Sequence, residues 1–132
     1  MNKPERIARG VILNNDKILL CKNLRHGSYF LPGGHIENEE SAENALAREV
    51  REEMGKVVLS SKKISEIENT FTEDGVEHKE IIYLYYVELQ DYENIKSLED
   101  HIDFEWILVT DFPKINFRPE KMIRIVLKSI EK

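Results

Sequence analysis

The chain has 132 residues, room for one domain over residues 1–132, and at that size it can bury about two-thirds of its unfolded surface. Hydrophobic residues at 41% and charged ones at 33% exclude a disordered chain, and the longest apolar run, Ile81 to Val87, is far below the roughly 20 residues of a membrane helix. A net charge of −6 argues against a nonspecific binder of nucleic acid, which neutralises phosphates with lysine and arginine.

The start, Met1 to Arg6, has no apolar stretch behind it to act as a signal peptide. The single cysteine, Cys21, leaves no internal disulfide, which fits a reducing, cytoplasmic compartment. Dense apolar residues over 6–13 and again over 17–21, parted by Asn14-Asn15-Asp16, predict two strands and a polar turn. A basic loop, 22–27, leads to a short extended piece, 29–31, which Pro32-Gly33-Gly34 ends. Residues 41–54 lack glycine and proline, and Ala42, Leu46, Val50 and Met54 step by four, so a helix is expected there with Gly55 as its cap. Strands follow over 57–59 and 64–71, then a turn at Glu73-Asp74-Gly75 and a strand over 80–89 whose continuous apolarity predicts cover on both faces. A polar loop over 91–103, a strand over 104–109 and a terminal helix over 119–130 complete an α/β pattern, a mixed sheet between helices.

The chemistry concentrates between Gly33 and Gly55. At about 100° per residue, Glu49, Glu52 and Glu53 fall within an arc of about 100° at the edge of the apolar stripe. Like charges at these spacings repel, and a divalent cation turns the repulsion into attraction. A set of hard oxygens suits Mg²⁺ or Mn²⁺ better than zinc. An acidic run alone also fits a solvated face, with Arg48 pairing Glu52 one turn on. The preceding residues decide between the two. Gly33-Gly34 permits a tight backbone turn, and a carbonyl there offers one more oxygen.

The segment reads Gly34, five residues, Glu40, seven residues, then Arg48-Glu49-Val50-Arg51-Glu52-Glu53-Met54-Gly55. It resembles the Nudix box, the signature of the Nudix hydrolase family. At average residue usage a chance match to its eight fixed positions is about one in ten million. One position departs from the pattern: an aliphatic residue is usual after the last glycine, and Lys56 stands there, with Val57 expected to take over the apolar contact.

The resemblance implies an α/β/α sandwich with a mixed sheet, and cleavage of a nucleoside diphosphate linked to another moiety. It implies that Glu49, Glu52 and Glu53 are carboxylate ligands of Mg²⁺, that Gly33 offers its carbonyl, and that Glu40 and Arg48 form a structural ion pair. Glu53 or Glu52 would accept the proton of the attacking water, and relatives also use an acid from a distal loop, here Glu99 or Asp100 ahead of Glu105-Trp106. The tail Asp111-Phe112-Pro113-Lys114-Ile115-Asn116 is similar to that of MutT-type members, in which an asparagine reads a purine edge, making Asn116 a candidate. Members acting on ADP-ribose carry a proline about sixteen residues beyond the box, where Phe71 and Thr72 stand here.

Lys22 and Arg25, in the loop ahead of Pro32, are candidates for phosphate. His78 beside Glu80 is read as the end of a hairpin, and Cys21 as buried and inert. The expected partner is a small nucleotide, with neither nucleic acid nor membrane involved; many relatives form homodimers. Two rivals accompany the MutT-like reading: an ADP-ribose or nucleotide-sugar pyrophosphatase, and a Nudix-fold module that binds a nucleotide without cutting it. Three intact glutamates argue against the module.

Overall fold

The computed structural model describes residues 3–131; Met1 and Asn2, at the head of the polar start, lie outside it. Strand β1 (Glu5–Asn14) turns into β2 (Lys17–Asn23), followed by β3 (Tyr29–Phe30), β4 (Gly33–His35) and helix α1 (Ala42–Met54). Strands β5 (Val58–Glu73), β6 (Val76–Leu89) and β7 (Ile102–Leu108) come next, then a 3₁₀ turn (Phe112–Lys114) and helix α2 (Met122–Ile130).

The seven strands form one sheet in the order β3-β2-β1-β6-β5, with β4 also on β1 and β7 on β2. Strands β1 and β6 run parallel, Ile7 opposite Ile82 and Val11 opposite Tyr86. The other pairs are antiparallel. The sheet is therefore mixed, as expected.

Alternation along the strands builds two cores. On one face Ala8 and Ile12 pack with Ala45, Leu46, Val50 and Met54 of α1 and with Tyr85, Val87 and Leu89 of β6. On the other, Val11, Ile82 and Leu84 pack with Phe112, Phe117 and the α2 residues Met122 and Val126. Both faces of β6 are buried, as its unbroken apolar run predicts, and the layers are those of an α/β/α sandwich. No helix among the described residues is long and apolar enough to cross a membrane.

Several boundaries differ from the sequence reading, and β6 starts at Val76, four residues before the expected strand. The two strands expected over 57–59 and 64–71 are one strand, β5, with irregularities in its pairing at Val58/Ser60 and Lys63/Ser65. It lies at the end of the sheet, where polar Ser60 to Lys63 face water without breaking the ladder. Gly33 to His35, read as the end of an extended piece, forms a strand on β1, with Ala8 opposite Gly34. Strand β7 starts at Ile102, inside the expected loop. Helix α2 starts at Met122, about one turn late, because residues 119–121 form a turn in which the Pro119 carbonyl accepts the Met122 N–H (3.1 Å).

One detail positions the site. Strand β1 shares a single edge between two partners, β4 along Ile7–Arg9 and β2 at Leu13 and Asn14. The sheet opens between them, the Gly10 N–H bonds the Pro32 carbonyl (2.9 Å) across the gap, and the last turn of α1 lies against it.

Candidate active site

Helix α1 is capped at both ends: Ser41 Oγ accepts the Asn44 N–H (3.1 Å), and the Gly55 N–H bonds the Arg51 carbonyl (2.9 Å). Between the caps the three glutamates are unequal. On the helical wheel Glu53 projects between Ala42 and Leu46, inside the apolar stripe, and is only 5% exposed. Glu49 sits at the edge of that stripe with its side chain 18% exposed, and Glu52 faces outward at 54%.

Glu53 Oε1 accepts the Gly33 N–H at 3.1 Å. Burial pushes the Glu53 carboxyl up to about 8; the Gly33 N–H and the Arg9 guanidinium pull against that rise, while Glu49 and Glu99 add to it. Burial likewise raises Glu49, opposed by Arg48 and reinforced by Glu52 and Glu99.

The paired glycines allow backbone and carboxylates to meet. Gly33 has φ 136°, and a Cβ there would lie 2.0 Å from the Ala8 carbonyl oxygen. A Cβ on Gly34 would fall 2.5 Å from Cδ of Glu49, so that residue leaves open the space the carboxylate fills.

Arg48 organises the rim. It holds Glu40 with two parallel bonds, Nε to Oε2 at 2.8 Å and Nη2 to Oε1 at 3.0 Å. It also donates to the His35 carbonyl (3.0 Å), to Glu49 Oε1 (3.0 Å) and to Glu52 (3.4 Å). Glu40 Oε1 accepts the Glu37 N–H (3.0 Å) as well, and these donors, Arg48 foremost, hold its carboxyl down at about 2.

Of the distal acids, Glu99 is the one whose charge bears on Glu49 and Glu53, and His101 Nε2 lies 3.3 Å from its Oε2. The Leu98 N–H donates to the Glu53 carbonyl (2.8 Å), fastening the loop to the helix. Asp100 is exposed and has no hydrogen bond or ion pair among the described residues. Asn116 is exposed beside β3, its carbonyl accepting the Tyr29 N–H (2.8 Å). Arg25 is exposed in its loop, its backbone N–H on Asn23 Oδ1 (2.9 Å). Lys22 is tied to β3 and β7 instead of the α1 glutamates, 3.9 Å from Glu105 and over the Tyr29 ring. His78 stacks on Phe71 near the hairpin turn (5.0 Å), and Cys21 is fully buried.

One residue was missed, and the role of another was misread. Arg9 lies over the Phe30 ring (5.5 Å), donates to the Leu31 carbonyl (3.1 Å) and bears on Glu53. An arginine set between Ala8 and Gly10, within the apolar 6–13 stretch, was the available signal. Lys56 is no packing substitute. Its side chain is 14% exposed, and its Nζ reaches Asp91 Oδ1 (2.5 Å) and the Glu93 carbonyl (2.6 Å). Val57, expected to take the apolar contact, is 44% exposed instead; the ammonium has its own polar partners, so no apolar substitution was needed.

The group suits a hard divalent cation in donor type, since every candidate ligand is a carboxylate or carbonyl oxygen. Glu53 is a buried carboxyl with one N–H donor beside further carboxylates, an arrangement that a cation stabilises in its ionised form. Among the described residues no three acidic, histidine or cysteine side chains are already drawn together around one point. Arg48 engages Glu49 and Glu52 instead.

Comparison with known proteins agrees with this geometry. The NUDIX domain family profile matches residues 4–125. An ADP-ribose pyrophosphatase of Methanocaldococcus jannaschii is 29% identical over 118 residues, 87% of this chain and 68% of that protein. The nucleoside triphosphatase NudI of Escherichia coli is 28% identical over 132 residues, covering 87% of this chain and 91% of that one. In fold, a MutT Nudix hydrolase from Burkholderia pseudomallei superposes with a TM-score of 0.82 at 20% identity over 98% of this chain and all of that one. The extent of the profile match, laid over a box whose glycines and charges meet in space, shows that this chain belongs to the Nudix hydrolase family.

Proposed function

We propose that the chain is a MutT-like nucleoside triphosphate pyrophosphohydrolase that works with Mg²⁺ or Mn²⁺ held by Glu49, Glu52, Glu53 and the Gly33 carbonyl. The observation that carries this reading is Glu53, a buried carboxyl anchored by one backbone N–H with Glu49 and Glu99 acting on it. When bound, the cation neutralises phosphate oxygens and acidifies water. The water oxygen forms a new bond to phosphorus while the bridging P–O bond breaks, its electron pair leaving on the departing phosphate. Glu53 or Glu52 takes the water proton. Arg48 keeps Glu49 and the helix in register with the loop through Glu40 and the His35 carbonyl. Glu99, next to the Leu98 N–H that bonds the Glu53 carbonyl, would supply a further carboxylate.

The triphosphate reading is supported by the similarity to NudI and by Asn116, which is exposed next to core-facing Phe117. A second reading, hydrolysis of ADP-ribose or a nucleotide sugar, is favoured by the relative named an ADP-ribose pyrophosphatase. A panel separates them. The chain is incubated with Mg²⁺ and canonical or oxidised deoxynucleoside triphosphates, ADP-ribose, nucleotide sugars and dinucleoside polyphosphates, and released phosphate or pyrophosphate is measured. Pyrophosphate from a purine triphosphate, in excess over turnover of the others, is the expected result; preferential cleavage of ADP-ribose selects the second reading. Nucleotide binding with no turnover of any compound contradicts both.

A further inference from the structure

The 91–101 loop carries Glu99 and is tied down at three places. Midway, the Leu98 N–H bonds the Glu53 carbonyl (2.8 Å), and at its far end the His101 carbonyl accepts the Leu24 N–H (3.0 Å). At its start stands Lys56, the residue that breaks the family pattern. Its ammonium is drawn under the loop, bridging Asp91 Oδ1 and the Glu93 carbonyl, while Asp91 Oδ1 also accepts the Glu93 N–H (3.2 Å). One lysine thus closes a small ring on residues 91–93 from a position three residues beyond Glu53. The Gln90 N–H on the Val57 carbonyl (2.9 Å) brings the two segments together at that point.

We propose that Lys56 is a positioning residue: it clips the start of the 91–101 loop to the end of α1, so that Glu99, one residue past the Leu98 bond to the Glu53 carbonyl, is held near the last turn of the helix. An aliphatic side chain at 56 would pack but make no bond to the loop. The clip is directional, a charge-assisted donor shared between a carboxylate and a carbonyl, and most of the lysine is shielded from water. This rests on the reading of Glu49, Glu53 and Glu99 as one working group.

The test uses the full-length chain, with Lys56→Leu, Asp91→Ala and Glu99→Gln alone and the Lys56→Leu/Glu99→Gln pair. Amide hydrogen exchange is followed across the chain, and turnover of dGTP, an oxidised purine triphosphate and ADP-ribose is measured with Mg²⁺. Lys56→Leu and Asp91→Ala are each expected to speed exchange over 91–101 about five- to tenfold with β1 and β6 unchanged. In the best of those substrates, kcat should fall more than KM rises, and Glu99→Gln should cost less in the Lys56→Leu background than alone, because Glu99 has already lost its place. Unchanged exchange over 91–101 in Lys56→Leu, or losses from Lys56→Leu and Glu99→Gln that multiply independently, overturns the proposal. The exchange measurement needs no substrate, so a failure of the hydrolysis reading and a failure of the clip give different results.

Discussion

Glu40 and Arg48 meet edge to edge, the Nε–Oε2 and Nη2–Oε1 distances being 2.8 and 3.0 Å, so the carboxylate and guanidinium planes form a fork. That fork joins the loop after β4 to α1 and leaves Nη1 free to reach Glu49. Lysine matches the charge but not the fork. Arg48→Lys is expected to lower kcat by about 10- to 100-fold, the usual cost of losing a partner that orients ligands. Steady-state kinetics check it. Glu40 also carries a pH signature. An ordinary glutamate titrates near 4.5 and this one near 2, so its contribution to stability is complete above about 4.5 and is lost as pH falls toward 2. Acid melts of Glu40→Gln should lack that part of the slope.

Glu53 runs the other way. It holds its proton in the fold up to about 8, against 4.5 ordinarily, so the metal-free native chain binds the extra proton between those values and stability falls as pH rises through them. Thermal melts in chelator should show that decline, and Glu53→Gln should remove it. Added Mg²⁺ is expected to raise the melting temperature of the wild-type chain most at the alkaline end. The same variant should lose about 10²- to 10⁴-fold in turnover, the range for a missing general base.

The two glycines should respond differently to alanine. A Cβ at 34 strikes the end of the Glu49 side chain, which can move, whereas one at 33 strikes the Ala8 carbonyl in a strained backbone region. Gly34→Ala is expected to keep stability within about 1 kcal/mol while losing about tenfold in activity. Gly33→Ala should cost about 2–4 kcal/mol. Urea unfolding beside kinetics distinguishes the two.

Arg9 couples the strand to the same turn. Arg9→Met keeps the stem but forfeits the bond to the Leu31 carbonyl and the contact with Phe30, an expected loss of about 1–2 kcal/mol in urea. Activity should fall further than stability explains, because a positive charge beside Glu53 goes with it.

Asn116→Ala addresses the substrate. If its amide reads a purine edge, kcat/KM for the favoured purine triphosphate drops about 10- to 100-fold while ADP-ribose is unaffected. An equal drop for both means that the side chain does not select the base.

The sheet and its two helices were legible because strand alternation and the four-residue stripe of α1 are local signals. What was not legible had non-local causes. Ser60 to Lys63 looked like a break because polarity in an edge strand and polarity in a loop are alike without knowledge of the neighbouring strand. Gly33 to His35 has no strand propensity of its own; pairing with β1 makes it one. In the site, spacing identified three glutamates but treated them alike. The wheel angle of Glu53 relative to Ala42 and Leu46 already contained their difference in burial. The partners of Arg9 and of Lys56 required the fold, since Leu31 lies 22 positions from Arg9 and Asp91 lies 35 from Lys56.

The parallel pairing of β1 with β6 governs how this molecule is made. Ile7 is synthesised well before its partner Ile82, which emerges only after the whole Nudix box has left the ribosome. Until then the middle of the sheet has no second rail, and the acidic helix has no complete floor to settle on. Folding of this kind is slow, dominated by closure of a long loop, and the nascent chain exposes an adhesive strand meanwhile. Any interruption of translation between those two residues therefore releases a fragment prone to clumping, not a smaller working enzyme.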